Sequence, residues 1–232
     1  MKSLPKSNLG LRLLGKLNEI AQDSRPHIPF VVLNTVRRVL ENKGQSLLDI
    51  GCGDGRIIKA LLKNKEVFTI GADIDAQSLR ECLKCGMHDG YILCDVRKLP
   101  LKENSFDIVL SVEVLEHLEK EDGQKSIKAW EKIARRQVII TTPVGICEVQ
   151  APNGSSYDEH KASWYPGELK KLGYQIRGHG LSYFYGDRGW FNCAPNILMP
   201  LLYILSVLVG PLVYFFPGLA GRMVCIKRLD KQ

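Results

Sequence analysis

The sequence contains no internal repeat and no low-complexity tract, which excludes solenoid, propeller and collagen-like architectures. It has no unbroken apolar run near its start. The apolar residues between Leu9 and Leu17 are interrupted by Arg12 and Lys16, so a secretory signal core is missing and the main domain is expected on the cytoplasmic side. Disulfide patterning is absent too: the seven cysteines are odd in number and widely spread, which suits a reducing compartment. Cys82 and Cys85 form a CxxC with no second pair, and without one they read as thiols packing a helix. Finally, the glycine at the sixth position of a dinucleotide fingerprint is lacking, because counting from Gly51 the sixth residue is Arg56.

What remains is a 232-residue chain with 45% hydrophobic and 25% charged residues, enough for one α/β domain with some extra. Its net charge is +7, and the first forty residues hold seven Lys or Arg against Glu19 and Asp23, a local excess suited to an anionic surface of lipid or nucleic acid. Leu9, Leu13, Leu14, Leu17 and Ile20 recur at helical spacing, so residues 1–28 are read as an amphipathic N-terminal helix that caps the core or rests on a membrane. A second helix is expected from about Pro29 to Leu40, opening the main domain at 29–232. Strands are expected at Ser46 to Ile50 and near Val67 to Ala72, Gly90 to Cys94, Phe106 to Ser111, Gln137 to Thr141, Tyr174 to Gly178 and Met223 to Lys227. With helices between most of them, they make an α/β chain with a sheet covered on both faces.

The most informative stretch is LLDIGCGDGR, Leu47 to Arg56. An apolar strand closes on Asp49 and runs into Gly51, Cys52, Gly53 and Gly55, a turn whose bare backbone can approach a ligand. This stretch resembles motif I of the class I S-adenosylmethionine-dependent methyltransferases. The PL-x-x-x-SFD-x-V string from Pro100 to Val109 is similar to the same superfamily, and the likeness covers roughly residues 30–182 and 222–228. The resemblance implies a Rossmann-like seven-stranded methyltransferase sheet of order 3-2-1-4-5-7-6 with the last strand antiparallel, and S-adenosylmethionine as cofactor. It implies that Asp49 and the Gly51, Cys52, Gly53, Gly55 turn serve the amino acid portion of the cofactor. Asp73 would grip the ribose diol, Ile74 would pack on adenine, Asp95 and the Val96 backbone would read the adenine edge, and Ser111 would lie beneath the methionine portion.

Methyl transfer from a sulfonium needs alignment, and a base only where the acceptor must lose a proton. His117 in VEVLEHLEK is the candidate base, with Glu113, Tyr157 and His160 in the acceptor pocket. Glu113, Glu116 and His117 fall at i, i+3 and i+4 and resemble the magnesium motif of small-RNA 2′-O-methyltransferases. That family doubles the histidine where this chain has Leu118, so no metal is expected. Between Gly189 and Gly221 there is no charged residue, and Pro200, Gly210-Pro211 and Pro217 cut the run into pieces. Both ends of residues 189–221 must return to one sheet, so an apolar helical insertion between strands six and seven is expected to bend at Gly210-Pro211 and lie in a membrane surface, with a core helix or dimer interface as the alternative. The reading is a membrane-associated methyltransferase acting on a lipophilic small molecule, with oxygen favoured over carbon or nitrogen. Its rivals are an RNA methyltransferase, which the apolar insertion and the missing histidine argue against, and a non-catalytic S-adenosylmethionine-binding membrane scaffold. The oligomeric state is not legible.

Overall fold

The computed structural model describes residues 32–40, 45–62, 66–145, 159–182 and 198–229. The expected N-terminal amphipathic helix, Tyr157 and the start of the apolar stretch lie outside the described residues. In chain order the elements are α1 (Val32–Leu40), β1 (Ser46–Ile50), α2 (Arg56–Leu62), β2 (Phe68–Asp73), α3 (Ala76–Cys85), β3 (Gly90–Leu93), β4 (Phe106–Val112) and α4 (Lys120–Ile133). They continue with β5 (Ala134–Pro143), α5 (Pro166–Lys171), β6 (Gln175–Leu181), α6 (Met199–Leu208), α7 (Gly210–Phe215) and β7 (Ala220–Arg228).

The seven strands form one sheet in the order β3-β2-β1-β4-β5-β7-β6, and β7 runs antiparallel to both its neighbours. This is the Rossmann-like methyltransferase order. Central strands such as β4 are buried along nearly their whole length, because helices cover both faces and leave no side of the strand to water. One face packs Leu48, Ile50, Val109, Ile140 and Trp130 into a core with α4 and α5. The other packs Leu47, Ile108, Leu110 and Ile139 against α1 and α2. These two sets alternate along the strands, as the period-two geometry of a sheet demands. Trp164 is 1% exposed and donates its indole N–H to the Leu115 carbonyl at 3.2 Å, so it anchors the chain ahead of α5 rather than lining a ligand site.

Chain order reverses direction between β1 and β4. From β1 the chain steps outward to β2 and β3, then returns past β1 to β4, which opens a crevice beyond the carboxyl ends of these strands. Register places Ile50 beside Ser111 and Ala72, and Asp73 beside Leu93, so the tips of all four strands reach one edge together.

Between β6 and β7 lie α6 and α7, which meet around Val209 and Gly210. Helix α7 sits across β6, where Gly178 makes the close approach possible: a Cβ there would run into the Val213 carbonyl and come within 2.8 Å of the Pro217 Cα. Val213 is the buried contact of α7, whereas Leu201, Ile204, Leu205, Leu208, Leu212 and Phe215 are exposed. No helix among the described residues is long and apolar enough to cross a membrane.

Candidate functional site

A cavity of about 640 Å³ opens at the crevice between β1 and β4. Its walls include Gly51, Gly53, Asp73, Ile74, Asp95, Val96, Glu113 and His117, which brings eight of the sequence-derived site residues to one place. Six carboxylates, those of Asp73, Asp75, Glu81, Asp95, Glu113 and Glu119, face Arg97 and Lys161, so the cavity favours a cationic ligand.

The turn after β1 is built from the backbone. The Gly51 amide donates to the Ala72 carbonyl at 2.7 Å, and the Gly53 amide donates to Asp73 Oδ2 at 2.8 Å. Gly53 has φ +53°, and a Cβ placed on it would meet nothing within 4 Å, because it would project into the open cavity. Here is the bare cradle that the glycine pattern anticipates. Asp73 Oδ1 also accepts the Asp75 amide at 2.8 Å, so the second-strand carboxylate ties the cavity floor together from both sides. Asp75 in turn caps α3 by accepting from the Gln77 and Ser78 amides.

Four expected cofactor residues do not reach the cavity wall. Asp49 is 3% exposed and turns beneath the glycine turn towards His88; burial pushes its carboxyl up from the usual range, while His88 pulls it back. Cys52 is buried below the same turn, and Gly55 packs on Cys82. Ser111 is fully buried and its hydroxyl has no hydrogen-bond partner. Alternation along a strand explains these placements: a residue that lies at the right edge can still face inward. Asp95 does line the cavity, but its carboxylate is held by the Arg97 guanidinium, with Nε at 3.0 and 2.9 Å from its two oxygens and Nη2 at 2.6 Å. That hydrogen-bonded pairing keeps the Asp95 carboxyl below its ordinary value.

The segment after β4 differs from the expected helical face. Glu113 has φ +53°, a left-handed conformation uncommon for a residue with a side chain. A short 3-10 turn covers Leu115–His117, and α4 begins only at Lys120. Glu113, Glu116 and His117 therefore do not share a helix face. Glu113 Oε1 accepts from the Thr141 hydroxyl at 3.1 Å, and Oε2 lies 3.5 Å from Arg222 Nε at the start of β7. Glu116 turns inward, 2% exposed, and accepts from the Thr142 hydroxyl at 3.1 Å. His117 faces the cavity with Nδ1 3.2 Å from the Glu159 carbonyl oxygen and its ring edge-on to His160, centroids 4.9 Å apart. Ligand-type atoms of Glu116, His117 and His160 lie within 4.8 Å of one another, and His160 stands where the resemblance to the small-RNA methyltransferase motif puts its distant histidine.

Burial, with the nearby Glu113 charge adding to it, pushes the Glu116 carboxyl up to about 8. The native chain then keeps a proton that the unfolded chain loses near pH 4.5, so this group's ionisation costs no stability below that value, and stability falls as pH rises towards about 8. Glu116→Gln should flatten the slope. By differential scanning calorimetry the variant and wild type should melt alike near pH ~4.5 and diverge by pH ~8, with the variant the more stable. Parallel curves across the range would show that Glu116 ionises normally.

Comparison with known proteins agrees with this geometry. Residues 48–141 match the model of a family described as a methyltransferase domain. The ubiquinone biosynthesis O-methyltransferase of Coxiella burnetii is 31% identical over 140 residues, covering 54% of this chain and 58% of that protein. The tRNA (carboxymethyluridine(34)-5-O)-methyltransferase of Arabidopsis thaliana is 36% identical over 92 residues, 40% of this chain and 21% of that one. The chain thus matches less than two thirds of the length of either relative. In three dimensions it is similar to a SAM dependent methyltransferase from Archaeoglobus fulgidus, with a TM-score of 0.56, 19% identity, and 84% and 92% of the two chains covered, which shows the shared fold.

Proposed function

We propose that this chain, whose residues 48–141 form the core of a class I S-adenosylmethionine-dependent methyltransferase domain, transfers a methyl group to an oxygen of a lipophilic acceptor at a membrane surface. The observation that carries the reading is the conjunction of an acidic, glycine-floored cavity with an exposed apolar helix pair that leads into the strand whose Arg222 reaches Glu113 of that cavity.

The residues present fit S-adenosylmethionine. Open space over Gly53 admits the ligand, Asp73 and Ile74 stand at the tip of β2 for the ribose and adenine, and the surplus of carboxylates suits a cation. Bound there, the cofactor supplies an electrophilic methyl on a sulfonium, which becomes a neutral thioether on transfer. The chain's own work is to align and to exclude water. His117 at the cavity wall takes the proton that the acceptor hydroxyl releases as its oxygen bonds to the methyl carbon, and passes it to solvent. Asp49 and Ser111, lying beneath, support the floor instead of touching the ligand.

The acceptor class follows from the surface around the insertion. Leu208 is 68% exposed and Phe215 is 63% exposed, and with Leu201, Ile204 and Leu212 they make an apolar face with no partner among the described residues, of the kind that lies in the lipid interface. Arg38, Arg177 and Arg228 line a second cavity of about 450 Å³ beside Tyr214 and Phe215, a cluster of positive charge that would suit anionic headgroups. Arg222, two residues into β7 after the apolar helices, reaches Glu113 in the methyl-transfer cavity. In this reading, an amphiphile held by α6 and α7 reaches Glu113 and His117 past Arg222. The ubiquinone biosynthesis relative supports a lipophilic acceptor, and the tRNA methyltransferase relative supports the rival.

Incubation with methyl-labelled cofactor and a membrane extract, followed by separation of lipid, RNA and protein, tests the reading. Label is expected in the lipid fraction. Label in RNA alone would establish the rival acceptor, and cofactor binding by calorimetry without label in any fraction would establish a scaffold.

A further inference from the structure

Directly beneath the glycine turn lies a group of side chains that cofactor binding does not use. Cys52 in the turn, Cys82 on α3 and His88 in the loop before β3 are all buried, and one ligand-type atom from each lies within 4.8 Å of the others. Asp49 Oδ2 stands beside this trio, 3.4 Å from His88 Nε2 but not within 4.8 Å of all three. The His88 side chain is wholly shielded from solvent; Nε2 faces Asp49 Oδ2 at 3.4 Å, and among the described residues Nδ1 has no hydrogen-bond partner. An orphaned polar atom of this kind costs about 1–3 kcal/mol, and the arrangement is held in place rather than relaxed away. Tyr91 packs edge-on against the imidazole, and its hydroxyl bridges the His88 amide and the Cys82 carbonyl at 3.3 and 3.2 Å. Gly71 of β2 leaves room for the group: a Cβ there would come within 2.8 Å of His88 Cδ2 and 3.0 Å of Cys52 Sγ.

We propose that Asp49, Cys52, Cys82 and His88 form a closed tetrahedral site for Zn²⁺. Two thiolates and an imidazole are the donor set that selects this ion over magnesium or calcium, and four protein ligands with no open position mark a structural site. The spacing agrees. With zinc–nitrogen and zinc–oxygen bonds of about 2.0–2.1 Å, a tetrahedral ion holds such a pair of ligand atoms about 3.4 Å apart, and two sulfurs about 3.8 Å apart. The observed 3.4 Å between Asp49 and His88 meets the first figure, Cys52, Cys82 and His88 lie within 4.8 Å of one another and contract for the second, and Asp49, outside that trio, swings in from beside His88 to close the site. Uptake of the ion replaces the two thiol protons, and that of Asp49 where it is protonated, all passing to solvent, so binding weakens as pH falls. No electron moves.

The four ligands come from the tip of β1, the glycine turn, the middle of α3 and the approach to β3, so a bound ion would tie together the elements that floor the cofactor cavity. Sequence reading paired Cys82 with Cys85, but Cys85 is exposed, and Cys82 instead meets Cys52, thirty positions earlier.

The test is metal content of the full chain, purified without chelator and after addition of Zn²⁺ to chelator-stripped protein. About one zinc per chain is expected, and Co²⁺ in its place should show the intense thiolate-to-cobalt absorption of a two-sulfur tetrahedral site. Cys52→Ser and Cys82→Ser should each fall below about 0.1 equivalent, while Cys85→Ser keeps the full equivalent. Circular dichroism checks that the variants fold. Less than about 0.1 equivalent in the reconstituted wild type, cobalt uptake without the sulfur band, or zinc retained by both serine variants would overturn the proposal. None of these readouts depends on methyl transfer, so this proposal and the reading of the function stand or fall separately.

Discussion

Gly53→Leu should abolish cofactor binding and leave the protein folded. Position 53 has φ +53°, so any side chain there pays about 1–2 kcal/mol of backbone strain. Nothing lies within 4 Å of the added Cβ, so no core contact is broken. The leucine instead fills the space over the turn where the cofactor must approach, and its bulk would push on the amide that donates to Asp73 Oδ2. A rise in Kd of at least about 100-fold, equivalent to about 2.7 kcal/mol, is expected for S-adenosylhomocysteine in isothermal titration calorimetry. Gly86→Leu is the matched control. Gly86 has φ +61° and equally empty surroundings, but it closes α3 away from the cavity, so it carries the same strain and should keep wild-type affinity. If the two variants lost affinity alike, strain rather than obstruction would be the cause and the cradle reading would fail.

The second large effect concerns the helix pair. Leu201 and Leu208 are 55% and 68% exposed, so charging both costs little folding stability. In a lipid interface the same change removes two apolar anchors and adds two negative charges, and full burial of a leucine is worth about 1.5–3 kcal/mol. Leu201→Glu combined with Leu208→Glu should therefore lower the fraction bound to anionic liposomes by at least about 100-fold in a flotation assay. Turnover of a long-chain acceptor should fall with it, while a short soluble analogue reacts as before. Wild-type protein that does not float with liposomes would remove the membrane reading, and equal loss on both acceptors would place the damage in the cavity itself.

Most of the sheet was legible because its evidence is local. Short apolar runs bounded by Gly, Asp and Asn mark each strand, and the seven positions expected from sequence are the seven found. The cavity was legible where a residue ends a strand, as Asp73 does, or follows one closely, as Asp95 does, since strand tips at one edge of a parallel sheet must converge. Orientation was less so. Asp49 sits one residue before the tip and faces inward, which spacing alone does not distinguish from facing the ligand. The VEVLEHLEK segment misled more deeply, because its i, i+3, i+4 pattern suits a helix that the buried Glu116 and the left-handed Glu113 replace with a tight turn. The meeting of Cys52, Cys82 and His88 depends on how α3 folds back over β2, a long-range fact with no signature in any short window.

Gly178 makes the insertion's seat a matter of a single methyl group. A related chain with alanine at that position could not rest the same helical hairpin on its sixth strand, so that one letter offers a way to sort homologous sequences into those that share this docking and those whose apolar segment must attach elsewhere.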